Sequence, residues 1–205
     1  LKKFNIKILS HRDLFKNRHI KSVAWIPDAQ HLVLKNTFNK KEYDFRVKFT
    51  EKQMSNSDMI FVESHSVKKY FKKYYKNINF FPLRRAVRWF KLNKSLKNTF
   101  IKKPFFYFPA QLWLHKNHFF IVSLAEKLKK RQINCKFIFS GRNEDHRNPN
   151  HYKNLINLIN KKKLNDYFEF LGHVDSSLVK LLIKKCEALI SPSKHEGWAT
   201  ISEES

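Results

Sequence analysis

Glu187-Ala-Leu-Ile-Ser-Pro-Ser-Lys-His-Glu-Gly-Trp-Ala-Thr-Ile-Ser-Glu-Glu204 is the stretch on which the fold turns. Its opening, Glu187 to Ile190, is a short apolar run of the kind that ends a buried strand. Thr200 and Glu203 stand at capping-box spacing for the start of a helix. Between them lies a strand-to-helix loop. In a parallel α/β sheet such loops gather at the carboxyl ends of the strands, where ligands bind, and the free N–H groups of the next helical turn favour an anion. Glu196 and Glu204 flank that position with seven residues between them. A carboxylate beside a bound phosphate is electrostatically unfavourable, so the pair suits hydroxyl groups, as on a sugar or a ribose.

Working back from this loop, the second half of the chain alternates regularly. Strands are predicted at Phe105–Phe108, Cys135–Phe139, Tyr167–Leu171 and Ala188–Ile190. Helices are predicted over Asn117–Arg131, Tyr152–Lys163 and Ser176–Lys184. Strands separated by helices imply right-handed βαβ units and a parallel sheet, half of a doubly wound α/β fold. The chain has only three glycines, and Gly141, Gly172 and Gly197 each follow one of these strands. A glycine there is either a turn former or a point where backbone approaches a ligand. Lys116 stands just before a helix, where an ammonium joined to free N–H groups grips a diphosphate; the alternative is an ordinary surface lysine.

The first half is less regular. Phe4–Leu9 and Ile20–Ala24 alternate basic and apolar residues, as short strands do. In Trp25-Ile-Pro-Asp-Ala-Gln-His31 an apolar run turns polar, so Asp28, Gln30 and His31 are expected at a strand's end; His31 is either a site residue or a histidine hydrogen-bonded in a turn. Residues 40–57 have helical spacing, Asp58–Ser64 reads as a buried strand, and Ser66 is expected to cap the next helix. In that helix Tyr70, Phe71, Tyr74 and Tyr75 are read as one face, surrounded by Lys68, Lys69, Lys72, Lys73 and Lys76. Such a pattern is either a core-facing stripe with a solvated back or a surface that lies on an anionic membrane.

Composition narrows the classes further. Against 17 acidic residues stand 42 basic ones, a formal charge of +25. That balance fits a polyanionic partner or a basic solvated surface, and the lysines are dispersed rather than clustered, which speaks against a nucleic-acid-binding module. Cys135 and Cys186 are read as buried thiols in a reducing cytosol rather than a disulfide. No apolar run reaches membrane-spanning length, and no metal-ligand spacing is present. The chain begins at Leu1 without Met and stops at Ser205 as its last helix opens, so it is expected to be a piece of something longer.

Glu196-Gly-Trp-Ala-Thr-Ile-Ser-Glu-Glu204 resembles the E-x7-E signature of the retaining nucleotide-sugar glycosyltransferases of group 1, family 4 of the GT-B class. Four other segments are similar to that family's loops: Trp25–His31, Pro109-Ala-Gln-Leu-Trp-Leu-His-Lys-Asn-His118, Ser140-Gly-Arg-Asn-Glu-Asp-His-Arg-Asn-Pro149 and Phe170-Leu-Gly-His-Val174. The resemblance implies an α/β fold of GT-B type, two Rossmann-like domains with parallel sheets, the first incomplete and the second truncated. Residues 1–83 would be the end of the acceptor-binding domain, 84–103 the connection and 104–205 the nucleotide-sugar-binding domain.

The implied reaction is metal-independent hexosyl transfer, with retention, from a UDP- or GDP-sugar to a glycan or lipid-linked acceptor. The implied setting is cell-surface polysaccharide synthesis, in the cytoplasm or at the inner face of the membrane. No cofactor beyond the donor and no nucleic acid is expected; contact with an anionic membrane is a further expectation. Glu196, Lys116 and His31 take the catalytic roles by resemblance. Gln111, Lys116, Gly141, Arg142, His173, Val174, Gly197, Trp198, Ala199, Thr200 and Glu204 take donor-binding roles. Gln111 stands where many relatives have Arg, and Ala199 and Ile201 where many have Gly and Pro. A catalytically inactive scaffold of the same fold and a basic nucleic-acid-binding module are the alternatives.

Overall fold

The structure, a computed structural model, describes residues 4–11, 15–16, 19–84, 86 and 104–203, with backbone alone at Thr200 and Ser202. Apart from Arg84 and Ala86, the expected connection over 84–103 lies outside the described residues, as does Glu204. The chain divides into two compact units. Leu1–Ala86 with His195–Thr200 form the first; Val87–Lys194 with Ile201–Ser205 form the second.

The first unit is built on a parallel sheet of β1 (Ile8–Ser10), β2 (Lys21–Ile26), β3 (Met59–Val62) and β4 (Phe80–Pro82), paired in that order. A four-residue helix α1 (Gln30–Val33) and the longer α2 (Lys40–Ser55) connect β2 to β3, and α3 (His65–Tyr74) connects β3 to β4. β2 alternates buried and less buried residues along Lys21–Ile26, the signature of a sheet covered on one face. Ala24, Ile26, Ile60, Val62 and Phe80 meet Met54 of α2 and Val67 and Phe71 of α3 to form its core. On the opposite face Ile8, Val23, Trp25, Met59, Phe61 and Leu83 line an open groove of about 800 Å³.

Two sequence expectations are corrected here. Ser64, not Ser66, caps α3: its hydroxyl accepts from the Val67 N–H at 3.1 Å, because β3 ends at Val62 and Ser64 has the extended backbone a cap needs. The aromatic stripe of α3 is also split, since Phe71 is fully buried while Tyr74 is 60% exposed. Phe80–Pro82, which carries no periodic signal in the sequence, is a strand at the edge of the described sheet, a position that tolerates Pro82 because an edge strand has one unpaired side.

The second unit holds β5 (Phe105–Pro109), α4 (His118–Lys130), β6 (Lys136–Ser140), α5 (His151–Lys161), β7 (Phe168–Phe170), α6 (Ser176–Lys185) and β8 (Ala188–Leu189); the chain ends its described part in α7 (Thr200–Glu203). All its strand pairs are parallel, in the order β7-β6-β5-β8. β6 is apolar almost without alternation because both faces are covered. On one side Phe108, Phe137 and Phe139 pack with Ile121 and Val122 of α4 and Leu155 and Ile159 of α5. On the other, Phe105, Tyr107 and Ile138 pack with Leu182 of α6. Both cysteines are free, Cys135 buried and Cys186 half-buried.

Candidate active site

In the second unit the strand order changes direction at β5: β6 and β7 follow on one side of it and β8 lies on the other. At such a reversal the loops leaving the two neighbouring strands part, and a crevice opens at their carboxyl ends. Here those loops are Ala110–Asn117, after β5, and the segment running on from β8 through Ile190. Lys116 ends a short 3₁₀ turn, Leu114–Lys116, directly before α4. Asn117 takes a left-handed conformation, φ 62°, which Asn tolerates better than most residues, and its side-chain amide donates to the Pro192 carbonyl at 3.1 Å. The Lys194 N–H donates to the His115 carbonyl at 2.8 Å. The loop after β5 and the segment after β8 are therefore tied together.

The other two loops join the same edge through backbone. Leu112 N–H donates to the Arg142 carbonyl at 3.0 Å, and Gly141 N–H to the Gly172 carbonyl at 2.7 Å. A Cβ on Gly141 would lie 2.4 Å from the Ala110 carbonyl oxygen, and its φ of +141° is one side chains rarely adopt. Gly141 is thus required for loop to meet loop, a reason the sequence did not reveal. His173 and Val174 form the turn before α6, whose start is capped by Asp175 accepting from Ser177 N–H and Leu178 N–H. So Gln111, Lys116, Gly141, Arg142, His173 and Val174 all stand in loops knit along one sheet edge.

Beneath these loops lies a polar anchor. Asp145 is buried and accepts from the Leu114 N–H at 2.9 Å, the Arg147 N–H at 3.0 Å and the Asn148 side-chain amide at 3.2 Å. Burial pushes its carboxyl up, but these hydrogen bonds and the Arg147 charge outweigh that and hold its pKa below the ordinary value. The Arg147 guanidinium lies over the Trp113 ring, 4.8 Å from its centre. His118, wholly buried against Phe108 and Phe139, has its pKa pushed down to about 3 by burial, with His151 and Lys116 adding to the shift. It is a neutral imidazole, so the charge at the head of α4 is that of Lys116.

The first unit gathers a different set. His31 and His195 are both buried, and the Nε2 of each has no hydrogen-bond partner. Burial lowers both pKa values, opposed by the nearby Asp28 carboxylate, and a charge on His195 disfavours one on His31. Tyr70 of α3 meets the His195 ring edge-on at 5.6 Å. Glu196, Trp198 and Ala199 follow half-buried, with Arg84 over the Trp198 ring at 5.8 Å. Gly197 fits because a Cβ there would lie 2.0 Å from the Pro27 carbonyl oxygen. Thr200 opens α7. Sequence reasoning had not assigned His195 a role; its only local signal is that it precedes Glu196. Among the described residues no three His, Cys, Asp or Glu side chains converge as a metal-ligand set.

Two parallel-sheet units, the second with its strand order reversing at β5, define an α/β protein of GT-B type. Residues 89–204, more than half of the 205, match the family described as glycosyl transferases group 1, and the chain belongs to that family. Among solved structures it is similar to sucrose-phosphate synthase from Thermosynechococcus elongatus, with a TM-score of 0.73 and 13% identity over 91% of this chain and 48% of that one. S. aureus TarM, solved with fondaparinux, α-GlcNAc-glycerol and UDP, gives 0.65 and 13% over 91% and 35%. The pneumococcal O-GlcNAc transferase GtfA, solved with UDP and GlcNAc, gives 0.63 and 13% over 99% and 41%. At such identities the likeness speaks for the fold, and the chain spans only about a third to a half of these relatives. Comparison with curated protein sequences gives no match.

Proposed function

We propose that the chain is the donor-binding portion, with part of the acceptor domain, of a retaining glycosyltransferase that moves a hexosyl group from a UDP- or GDP-sugar to a glycan or lipid-linked acceptor. The observation that carries this reading is the knit of four loops at the second sheet's reversal, with Lys116 at the head of α4. The hard step in such a transfer is departure of the nucleoside diphosphate, whose negative charge grows as the sugar bond breaks. An ammonium and the first N–H groups of a helix stabilise that charge where it develops, without a metal. Arg142 adds a second cation in the adjoining loop and offsets the charge given up at Gln111. Backbone groups at His173 and Val174 face the base edge. Glu196 orients the sugar hydroxyls near the developing oxocarbenium ion, Glu204 holds the ribose, and His31, neutral through burial, meets the acceptor or transferred sugar.

That two of the similar structures hold UDP favours UDP-linked donors for the first titrations. Cell-surface polysaccharide synthesis, in the cytoplasm at the inner membrane face, is the setting we assign to it. Calorimetry with UDP- and GDP-sugars tests the donor site, with a single-stranded oligonucleotide as control. Donor binding is expected, weakened at least tenfold by Lys116→Ala. In a full-length version Glu196→Gln and Lys116→Ala each lower turnover more than tenfold, as loss of one charge-stabilising group does. Oligonucleotide binding without donor binding would overturn the reading.

A further inference from the structure

On α2 the distribution of side chains is inverted. Thr50 and Met54 are its buried residues, whereas Phe45 is 66% and Phe49 44% exposed. The two rings stack on each other, centroids 6.0 Å apart and 17° from parallel. At four residues' separation they form one outward ridge, and the 4-3-4 spacing of Lys41, Phe45, Lys48 and Lys52 sets three exposed lysines along the same stripe. Asp44 and Glu51 fall to one side of it, and Glu42 is paired with Arg46 at 3.5 Å. Two adjacent exposed phenylalanines on a helix that buries a threonine are a cost to the isolated unit, and lysines beside them say what chemistry would relieve it.

We infer that this face of α2 docks on an anionic bilayer surface, with Phe45 and Phe49 entering the headgroup boundary and Lys41, Lys48 and Lys52 meeting lipid phosphates. The inference deepens the lipid-linked-acceptor reading and rests on it for the purpose of the contact. Phenyl rings at the boundary leave water without needing a shaped pocket, and lysine stems extend along them to keep the ammonium groups at the headgroups. Charge decides against a second copy of the chain as the occupant: pairing this face with itself would set lysine against lysine in a molecule that already carries +25. The two near-parallel rings, with centroids 6.0 Å apart, also leave too little room for a nucleic-acid base to stack between them.

Co-sedimentation of the 205-residue chain with vesicles tests this. Vesicles of phosphatidylcholine with a quarter phosphatidylglycerol are expected to bind it at least tenfold more tightly than phosphatidylcholine alone. Phe45→Ser with Phe49→Ser lowers that binding about tenfold. Lys41→Gln, Lys48→Gln and Lys52→Gln together lower it further, at roughly fivefold per charge near such a surface. Lys127→Gln, Lys130→Gln and Lys153→Gln remove the same charge elsewhere and change it less than twofold. Should the serine variant fail to fold, the two lysine sets still decide. Equal binding by wild type and serine variant, equal loss in both lysine sets, or self-association abolished by the serines without any vesicle binding would each overturn the inference. Vesicle binding is read without donor, so its failure and that of the donor titration are separate results.

Discussion

Among the described residues both sheets are parallel and four-stranded, yet only in one do the loops at the strands' carboxyl ends hydrogen-bond to one another across a reversal of strand order. In the first, β1 to β4 follow each other in sequence order, and helices α2 and α3 cover one face. In the second, the order reverses at β5, both faces are covered, and the loops beyond the strands are hydrogen-bonded to one another. The difference teaches that a crevice comes from topology before it comes from side chains. A sheet wound in one direction carries each crossover to the next strand along. A reversal sends two neighbouring loops apart and leaves their helix starts and backbone amides facing a common opening.

The sharpest way to strain this contrast is acid. Buried neutral His118 binds fewer protons than it does in the unfolded chain, so unfolding takes up protons and stability falls as pH drops from about 6.5 toward 3. With a pKa lowered from 6.5 to about 3, the full effect is roughly 5 kcal/mol, at about 1.4 kcal/mol per pH unit. Melting temperatures measured across that range should show the decline, and His118→Phe should flatten most of it. His31 and His195 contribute with the same sign in the first unit, since burial lowers both. An unchanged pH profile in His118→Phe would show that the acid sensitivity lies with other groups, such as His151 in the same unit or His31 and His195 in the first, whose pKa values burial also lowers.

A pair of glycine substitutions comes next. Gly141→Ala forces a methyl group against the Ala110 carbonyl at a φ that already disfavours it, and should cost about 3 kcal/mol while disrupting donor binding. Gly172→Ala has a positive φ but open space around its Cβ, and should cost only about 1 kcal/mol. Denaturant titration of both variants separates loop-to-loop contact from simple turn preference. Equal losses would mean the knit edge is not what Gly141 serves. The smallest effect lies in the first unit. Ser64→Ala removes the α3 cap and should cost about 1 kcal/mol, whereas Ser66→Ala should stay within a few tenths.

Much of the second sheet was legible because its strands are unbroken apolar runs separated by helices of clear period. The corresponding half of the doubly wound fold follows from that alternation alone. Phe80–Pro82 escaped notice because three residues ending in proline, next to a basic stretch, carry no period. The cap was misassigned because Ser64 and Ser66 are chemically alike and only the end of β3 chooses between them. Lys116 and Gly141 were legible as positions at strand ends, but the Ala110 carbonyl that makes Gly141 obligatory belongs to another loop. Asp28 and His195 lie far apart in the chain, and no local pattern joins an aspartate after one strand to a histidine after the last.

Because the amides of Leu112, Gly141 and Lys194 each close a bond between different loops, none can open without loosening its neighbour's anchorage. Deuterium uptake at these three sites should then proceed as a single cooperative event. On the donor-site reading proposed above, a nucleotide bound beside these loops would slow all three together, which gives occupancy a backbone fingerprint that needs no turnover to be read.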